Sequence, residues 1–270
     1  MLLSEVGYAR PTSVDEAVRL LAENDGARPL AGGQTIVNVM KARAAAPDVL
    51  VDLADLAELR TIAATSDGGL DLGALATYAQ VITSAEVKAA RPLLSDVAAQ
   101  IADVQVRNRG TVGGNVCSND PTNHLPPLFV AMGASMTLVG PDGERTVPAE
   151  EFFLGVYMTA VAPGELLTRI VVPPAGEALD GFDAVTIGAD GTCIVNAAVT
   201  AAGGEARIVL GCVAATPVLL TAAADEASVR AAVRGAELDP PSDLHGTVEY
   251  RRHLAEVVAA RALAAAQEGS

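Results

Sequence analysis

Aromatic residues and positive charge are both scarce in this 270-residue sequence. It has no tryptophan, four tyrosines and four phenylalanines, so it offers few rings on which single-stranded nucleic acid could stack. Its 33 acidic residues outnumber 18 basic ones and give a formal net charge of −15. An excess of this sign repels a phosphate backbone. Together these features exclude a nucleic-acid-binding protein.

Cysteine and histidine are scarce as well, and their spacing matches no metal motif. There are three of each, all far apart: Cys117, Cys193, Cys212, His124, His245 and His253. Zinc and iron–sulfur sites require closely paired ligands that this pattern lacks. The sequence therefore predicts no metal site in this chain and reduced thiols in the core or in turns.

Long apolar runs are absent, although half of the residues are hydrophobic. No window of about 18 residues is free of polar breaks, so we expect no transmembrane segment. The start, Met1 to Glu5, lacks the basic and apolar regions of a secretory signal. We expect a cytoplasmic protein with two domains, and association with a membrane through a larger complex stays open.

The two common phosphate-binding motifs are missing too. No two glycines are separated by a single residue, which excludes the dinucleotide fingerprint of a Rossmann unit. The only lysines, Lys41 and Lys88, do not follow a glycine, which excludes a Walker-type loop. A nucleotide bound here needs another geometry.

Two glycine-rich segments supply a candidate for that geometry. We expect each to be a turn, one after a strand and one, Gly110 to Asn115, after a helical segment. Consecutive glycines let several main-chain N–H groups point into one concavity and let a diphosphate approach closely. Hydroxyl and amide side chains add donors. The residues concerned are Ala31, Gly32, Gly33, Gln34 and Thr35 in the first segment and Thr111, Val112, Gly113, Gly114 and Asn115 in the second.

Local patterns predict alternating helices and strands before residue 173. A capping-box pattern from Ser13 to Glu16 begins a helix that Gly26 ends. Pro141-Asp142-Gly143 predicts a hairpin between strands. Further predicted strands are 28–31, 48–53, 70–73, 135–139, 145–147 and 166–172, and further predicted helices are 36–43 and 84–106, with Pro92 at an end or at the start of a second helix.

The pair Pro173-Pro174 marks a domain boundary. We assign residues 1–174 to the first domain and residues 175–270 to the second. The second domain contains predicted strands 182–187, 193–200 and 205–213, the last two joined at Gly203-Gly204. An amphipathic helix over 248–266 ends the chain.

The sequences of five segments identify a protein family more specifically than any single glycine pair does. They are PLAGGQTIVNVMKARAAAPDVLVDL, LGALATYAQV, VQVRNRGTVGGNVCSNDPTNHLPPLFVAMGA, PGELLTRIVVP and YRRHLAEVVAARAL. In this order, from about Leu3 to Ala266, they resemble the FAD-binding medium subunits of the carbon monoxide dehydrogenase and xanthine dehydrogenase family, the molybdenum hydroxylases.

The resemblance implies an α+β fold and an FAD site. The fold is a vanillyl-alcohol-oxidase (PCMH) type FAD-binding domain of two α/β subdomains, plus a small C-terminal domain with a three-stranded antiparallel sheet and helices. The FAD loops of the family map onto Ala31 to Thr35 and Thr111 to Asn115. A leucine that packs beside the flavin maps onto Leu167.

The sequence departs from the family at two places. Many relatives have an aspartate in a P-x-x-D pattern where this chain has Pro121-Thr122-Asn123-His124. Asp120 or His124 could take over that polar role, and His124 could equally be an ordinary loop histidine. Relatives often have a lysine near residues 182–188, where this chain has none. How the flavin ring edge is held, and hence its potential, stays open.

The implied role is electron transfer. In relatives a large subunit with the molybdenum cofactor oxidises the substrate, and a small subunit holds two [2Fe–2S] clusters. Electrons reach the FAD of the medium subunit and leave to an external acceptor, quinone, NAD or another. The resemblance implies a dimer of heterotrimers. No catalytic residue is expected here, and the sequence contains no obvious acid–base dyad.

Two other functions are compatible with the same segments. A self-sufficient FAD oxidoreductase would need a polar catalytic cluster and a dedicated substrate domain. A non-catalytic interaction module would have lost its nucleotide, which the intact glycine segments disfavour. The substrate itself is not encoded in this chain if a partner subunit recognises it.

Overall fold

The computed structural model describes residues 3–188 and 191–269, which form three sheets of three or more strands, one hairpin and eleven α-helices. The strands are β1 (Gly7–Ala9), β2 (Ala27–Leu30), β3 (Val49–Asp52), β4 (Ile62–Ala64), β5 (Leu70–Gly73), β6 (Ser135–Gly140), β7 (Gly143–Pro148), β8 (Phe153–Gly155), β9 (Met158–Thr159), β10 (Leu166–Val172), β11 (Leu179–Ile187), β12 (Thr192–Ala202), β13 (Glu205–Gly211) and β14 (Val218–Ala223). The helices are α1 (Val14–Glu23), α2 (Ile36–Lys41), α3 (Tyr78–Thr83), α4 (Ala85–Ala90), α5 (Pro92–Ala99), α6 (Val104–Arg107), α7 (Val112–Ser118), α8 (Leu125–Ala131), α9 (Ala149–Phe152), α10 (Glu226–Gly235) and α11 (Val248–Glu268).

The first subdomain, residues 3–60, is built on a parallel sheet in the order β1-β3-β2. Helix α1 begins where the Ser13 hydroxyl accepts the Glu16 N–H at 3.1 Å. The Glu16 carboxylate accepts from the N–H and hydroxyl of Thr12 rather than from the N–H of Ser13. The second hydrogen bond of the predicted capping box is therefore made one residue earlier. Ala17, Val18 and Leu21 bury the inner face of α1.

The second subdomain, residues 61–172, has a five-stranded sheet in the order β4-β5-β10-β6-β7. Its central strand β10 is antiparallel to both β5 and β6. The turn Pro141 to Gly143 joins β6 and β7 as predicted. The predicted helical segment 84–106 is divided into the three short helices α4, α5 and α6. Pro92 begins α5, as one of the two predicted placements has it, and its missing N–H has no cost there.

The C-terminal domain has an antiparallel sheet in the order β11-β12-β13-β14, with α11 packed across β11 and β12. Gly203 and Gly204 both have positive φ, 59° and 84°, in the tight turn between β12 and β13. The α+β fold class is confirmed, but the sheet has four strands rather than the expected three, because Val218–Ala223 adds an edge strand beside β13.

A buried ion pair fastens the chain between the two domains. The Arg91 guanidinium lies 2.6 Å from Asp180 Oδ2, and both side chains are at most 9% exposed. Arg91 also donates to the carbonyls of Pro173 and Pro174, and Asp180 accepts from the Thr200 hydroxyl. Both the guanidinium and the carboxylate thus have further hydrogen-bond partners, which offset the cost of burying their charges.

Candidate functional site: a cleft between the two subdomains

The cleft lies where the first subdomain meets the second, and its volume is about 390 Å³. This is within the usual range of small-molecule sites, about 300–1,000 Å³. Both predicted glycine segments contribute to its wall. The lining residues are Leu30, Ala31, Gly32, Gly33, Gln34, Val37, Asn38, Lys41, Asp52, Ala54, Arg60, Leu75, Thr77, Asn108, Arg109 and Thr111.

The first segment is a turn between β2 and α2, as predicted. Gly33 has φ of 75°, which is costly for residues with a Cβ. A Cβ on Gly32 would overlap the carbonyl oxygen of Arg109. Glycine at this position therefore lets the first segment pack directly against the backbone that precedes the second segment. The Gln34 amide donates to the Gly32 carbonyl at 3.2 Å, and Thr35 directly precedes α2.

The main-chain donors of the first segment are available to a ligand. Within the described part of the chain, the N–H groups of Gly32, Gly33, Gln34 and Thr35 meet no hydrogen-bond acceptor. Gly32, Gly33 and Gln34 are half-buried and Thr35 is exposed, so these four N–H groups are accessible from the cleft to a ligand. Successive N–H groups of this kind favour an anion.

The second segment is not the turn that the sequence predicts. Gly110 precedes Thr111, which is the N-cap of α7, and Val112, Gly113, Gly114 and Asn115 are its first residues. A Gly-Gly pair disfavours helix by about 1 kcal/mol per residue, but tertiary packing overrides this. A Cβ on Gly113 would lie 2.6 Å from the Cβ and the carbonyl oxygen of Ala74. Glycine is therefore needed here for close packing.

The main-chain donors of the second segment are already used. The N–H groups of Val112 and Gly113 donate to the carbonyls of Ala76 and Ala74, each at 2.9 Å. The Gly114 N–H donates to the Thr111 hydroxyl oxygen at 3.0 Å. The predicted concavity of N–H groups is thus absent at residues 112–114, and the segment meets the cleft through the Thr111 side of the helix end.

Asn115 presents a different feature, a buried polar atom without a partner. Its amide nitrogen donates to the Tyr78 hydroxyl oxygen at 2.9 Å, while its Oδ1 atom is buried and unpaired. Burial raises the pKa of Tyr78 to about 12, against the opposing hydrogen bond from Asn115. Tyr78 therefore stays a neutral phenol beneath the second segment at any physiological pH.

Three cations line the cleft, and sequence reasoning missed all of them. Lys41 ends α2, Arg60 ends a short 3-10 helix and Arg109 precedes the second segment. No glycine precedes Lys41, so it cannot belong to a Walker-type loop, yet as the last residue of α2 it lines the cleft. The signal that could have found it is its position six residues after Thr35 on a short helix.

His124 and Leu167 lie outside this cleft. Leu167 is a buried core residue of β10, next to a bulge. His124 is 5% exposed and directly precedes α8. Its Nδ1 atom is 3.2 Å from the Asn196 amide nitrogen, and its ring packs edge-on against Phe182 with centroids 5.3 Å apart. His124 therefore joins the first domain to the C-terminal domain.

Asp120, the alternative to His124, is held within its own loop. One carboxylate oxygen accepts the Thr122 N–H at 2.9 Å and its hydroxyl at 2.7 Å. The other accepts the Tyr157 hydroxyl at 3.1 Å. Tyr157 is exposed and has φ of 56° at the tip of the β8–β9 hairpin.

The described residues contain neither a metal-ligand cluster nor a membrane-spanning helix. No group of three or more His, Cys, Asp or Glu side chains among them is arranged to hold a metal ion. None of the helices described combines the length and the apolar character that a membrane span requires.

Comparisons with known proteins agree with one another. Residues 4–175 match the family described as FAD binding domain in molybdopterin dehydrogenase, and residues 182–266 match the CO dehydrogenase flavoprotein C-terminal domain. The chain is 38% identical to the carbon monoxide dehydrogenase medium chain of Afipia carboxidovorans, over 97% of each chain.

Solved structures show the same fold. A crystal structure of Cu,Mo-CO dehydrogenase in its cyanide-inactivated form contains a chain that matches with a TM-score of 0.93 at 35% identity, over 100% of both chains. A chain of quinoline 2-oxidoreductase from Pseudomonas putida matches with a TM-score of 0.91 at 31% identity, over 100% of this chain and 99% of that one. The chain therefore belongs to the FAD-binding medium subunits of the carbon monoxide dehydrogenase and xanthine dehydrogenase family, as a flavoprotein subunit of a molybdenum-containing oxidoreductase.

Proposed function

We propose that the cleft between the two subdomains holds the FAD diphosphate and that the subunit relays electrons without meeting the organic substrate. The observation that carries the first part is the row of unpaired N–H groups from Gly32 to Thr35. In a chain of net charge −15, main-chain donors bind an anion without a large cluster of fixed positive charge.

The other lining groups fit a dinucleotide. Lys41, Arg60 and Arg109 supply positive charge at the same cleft, and each opposes the charge of a diphosphate. The glycines allow the two segments to approach closely, with Gly32 against Arg109. Thr111 and Thr77 add hydroxyl groups on the facing wall. The chain's own residues thus bind and orient the cofactor.

The flavin end extends beyond this cleft in the proposal. We assign Leu167 a packing role beside the flavin and His124 a supporting role at the domain seam, without a covalent link. The chemistry supplied by bound FAD is exchange of one or two electrons, which connects the [2Fe–2S] clusters of a partner subunit to an external acceptor. This relay requires no acid–base dyad in the chain.

The proposed partners are a small iron–sulfur subunit and a large molybdenum-cofactor subunit in a dimer of heterotrimers in the cytoplasm. Support comes from the relatives, whose names include a medium chain of carbon monoxide dehydrogenase. The substrate is then recognised by the large subunit. Relatives named for carbon monoxide and for quinoline share this fold at a TM-score above 0.9, which favours a flavoprotein that does not select the substrate.

A substitution pair tests the cofactor site. Gly32→Ala places a Cβ into the Arg109 carbonyl, so we expect flavin to be lost on purification while the C-terminal domain stays folded. Gly235→Ala is the matched control, since a Cβ there meets nothing within 4 Å. The readouts are flavin absorbance per chain and circular dichroism. Full flavin content in folded Gly32→Ala protein contradicts the site.

Isolation from the native host tests the relay. We expect a yellow chain that co-purifies with an iron–sulfur subunit and a molybdenum subunit, and iron and molybdenum analysis identifies both. A single chain that turns over a substrate unaided supports the self-sufficient oxidoreductase instead. A colourless chain that cannot be reconstituted with FAD contradicts both.

A further inference from the structure

Two of the three cysteines meet in the C-terminal domain, although 18 residues separate them in the sequence. Cys193 lies in β12 and Cys212 directly follows β13, and both are at most 5% exposed. The Asn196 amide nitrogen is 3.4 Å from Cys193 Sγ and 4.0 Å from Cys212 Sγ. Both sulfurs therefore lie within reach of one NH₂ group.

The backbone brings the two thiols together by two irregularities. The β11–β12 register shifts between Val185 and Thr186, so that Ile194 is an extra residue. Because side chains alternate along a regular strand, the bulge is what places Cys193 and Asn196 on one face. Cys212 has φ of 65°, a conformation that is uncommon outside glycine. Bulges and such strained residues often occur at functional sites.

The surroundings of the two thiols shift their pKa values in opposite directions. Cys212 Sγ lies 3.0 Å from the Pro121 carbonyl oxygen, and the single S–H proton of Cys212 is shared between that oxygen and the Cys193 sulfur. The hydrogen bond from Cys212 lowers the pKa of Cys193 to about 6, with help from His124 and Asn196 and against the effect of burial. The same contact raises the pKa of Cys212. Cys193 thus carries the thiolate of the pair.

A small reagent can approach from the surface beside Cys212. A groove of about 10 Å³, enough for one water-sized molecule, is lined by Cys212 together with the Asn119–Pro121 and Ala214–Pro217 segments. It lies over the seam between the two domains. The groove reaches Cys212 and not Cys193, so a hydroperoxide, which is neutral and small, can pass Cys212 to the Cys193 sulfur more readily than a bulky or charged thiol reagent.

We propose that Cys193 and Cys212 form a dithiol that hydrogen peroxide oxidises to an intramolecular disulfide. The Cys193 thiolate attacks one peroxide oxygen, the O–O bond breaks, and with one proton the products are a Cys193 sulfenic acid and water. The Cys212 sulfur then attacks the Cys193 sulfur, and the Cys212 proton leaves with the hydroxyl group as a second water. Two thiols are oxidised and one peroxide is reduced.

The disulfide changes the seam between the domains. Its formation removes the S–H donor of Cys212 from the Pro121 carbonyl. Pro121 lies in the loop that joins α7, the helix of the second glycine segment, to α8. Oxidation therefore removes one contact of that loop, which lies at one end of the helix whose other end is at the proposed cofactor cleft.

Peptide mass spectrometry of the full-length protein tests the proposal. After reduction with a phosphine and exposure to hydrogen peroxide, we expect the peptides of Cys193 and Cys212 to be linked, with the loss of two hydrogen atoms, and the phosphine to reverse the link. Cys212→Ser should stop at a Cys193 sulfenic acid that dimedone traps. Cys193→Ser should give no adduct at Cys212.

Cys117 supplies the matched control. Burial raises its pKa to about 12, so Cys117→Ser should form the same disulfide at the same rate. The proposal is overturned if denatured, peroxide-treated wild-type protein still alkylates at both Cys193 and Cys212, or if Cys117 is the residue that becomes linked. These two outcomes use wild-type protein alone and do not depend on the folding of a variant, or on whether FAD is bound.

Discussion

The two glycine segments share a Gly-Gly pair but differ in the state of their hydrogen bonds. At Gly32 to Thr35 the main-chain N–H groups have no acceptor in the described chain, whereas at Val112 to Gly114 each N–H group has one. The first segment is a turn and the second is the start of a helix. Glycine therefore has two separate uses here. One exposes donors to a ligand, and the other allows backbone elements to touch.

Gly113→Ala should have the largest effect on stability. The added Cβ would lie 2.6 Å from the Ala74 carbonyl, and overpacking of this kind costs about 1–3 kcal/mol. The expected result is a lower free energy of unfolding, measured by denaturant titration, with flavin lost only as the protein unfolds. Loss of flavin from a protein of unchanged stability would show that Gly113 contacts the cofactor directly.

Gly33→Ala should lower FAD affinity as well as stability. Its φ of 75° makes alanine unfavourable by about 1 kcal/mol, while its Cβ would only touch Leu30 and Val37 at 3.5 Å. FAD affinity should fall roughly fivefold, as measured by fluorescence titration of the apoprotein.

Gly203→Ala is the matched control for Gly33→Ala. Gly203 has φ of 59° and open space around it, far from the cleft. It should lose similar stability and no FAD affinity. Equal losses of FAD affinity in both variants would assign the effect to general strain rather than to the N–H groups of the first segment.

Thr111→Val tests whether the donors at the second segment are held by the protein. It removes the hydroxyl that accepts the Gly114 N–H, and loss of such a cap costs about 1 kcal/mol. Ser13→Ala, at the cap of α1, should give a similar loss of stability in thermal unfolding with unchanged flavin content. A gain of FAD affinity in Thr111→Val would indicate that the freed Gly114 N–H reaches the ligand.

Lys41→Gln should have the smallest effect. Lys41 lines the cleft but is exposed, so its attraction for a diphosphate is worth less than about 1 kcal/mol and is screened by salt. FAD affinity should fall slightly at low salt and be unchanged at high salt. Lys88→Gln removes the only other lysine and should change neither value.

The sequence predicted most of the caps, turns and helices that depend on residues close together in the chain. The Ser13 cap, the turn after β2, the Pro141 to Gly143 hairpin and the final helix all follow from residues close together in the sequence. The site did not follow as fully. The carbonyls that occupy the Val112 and Gly113 N–H groups belong to Ala76 and Ala74, and only the folded second subdomain brings them there.

Other misses have the same origin. Strand β14, Val218–Ala223, was not predicted; it is a half-buried edge strand that pairs with β13. His124 was weighed as a loop residue or a cofactor contact, and its packing on Phe182 and Asn196 comes from the other domain. The 1–174 and 175–270 division stays a prediction.

The Arg91–Asp180 pair has a consequence for how such chains can be recombined. Arg91 is in the first domain and Asp180 in the second, and both are buried. Removing one member of a buried pair leaves an uncompensated charge, at a cost of about 3–5 kcal/mol. A chimera that takes its two domains from different relatives should therefore lose stability unless the arginine and the aspartate are inherited together, which makes the pair a compatibility marker between the two halves.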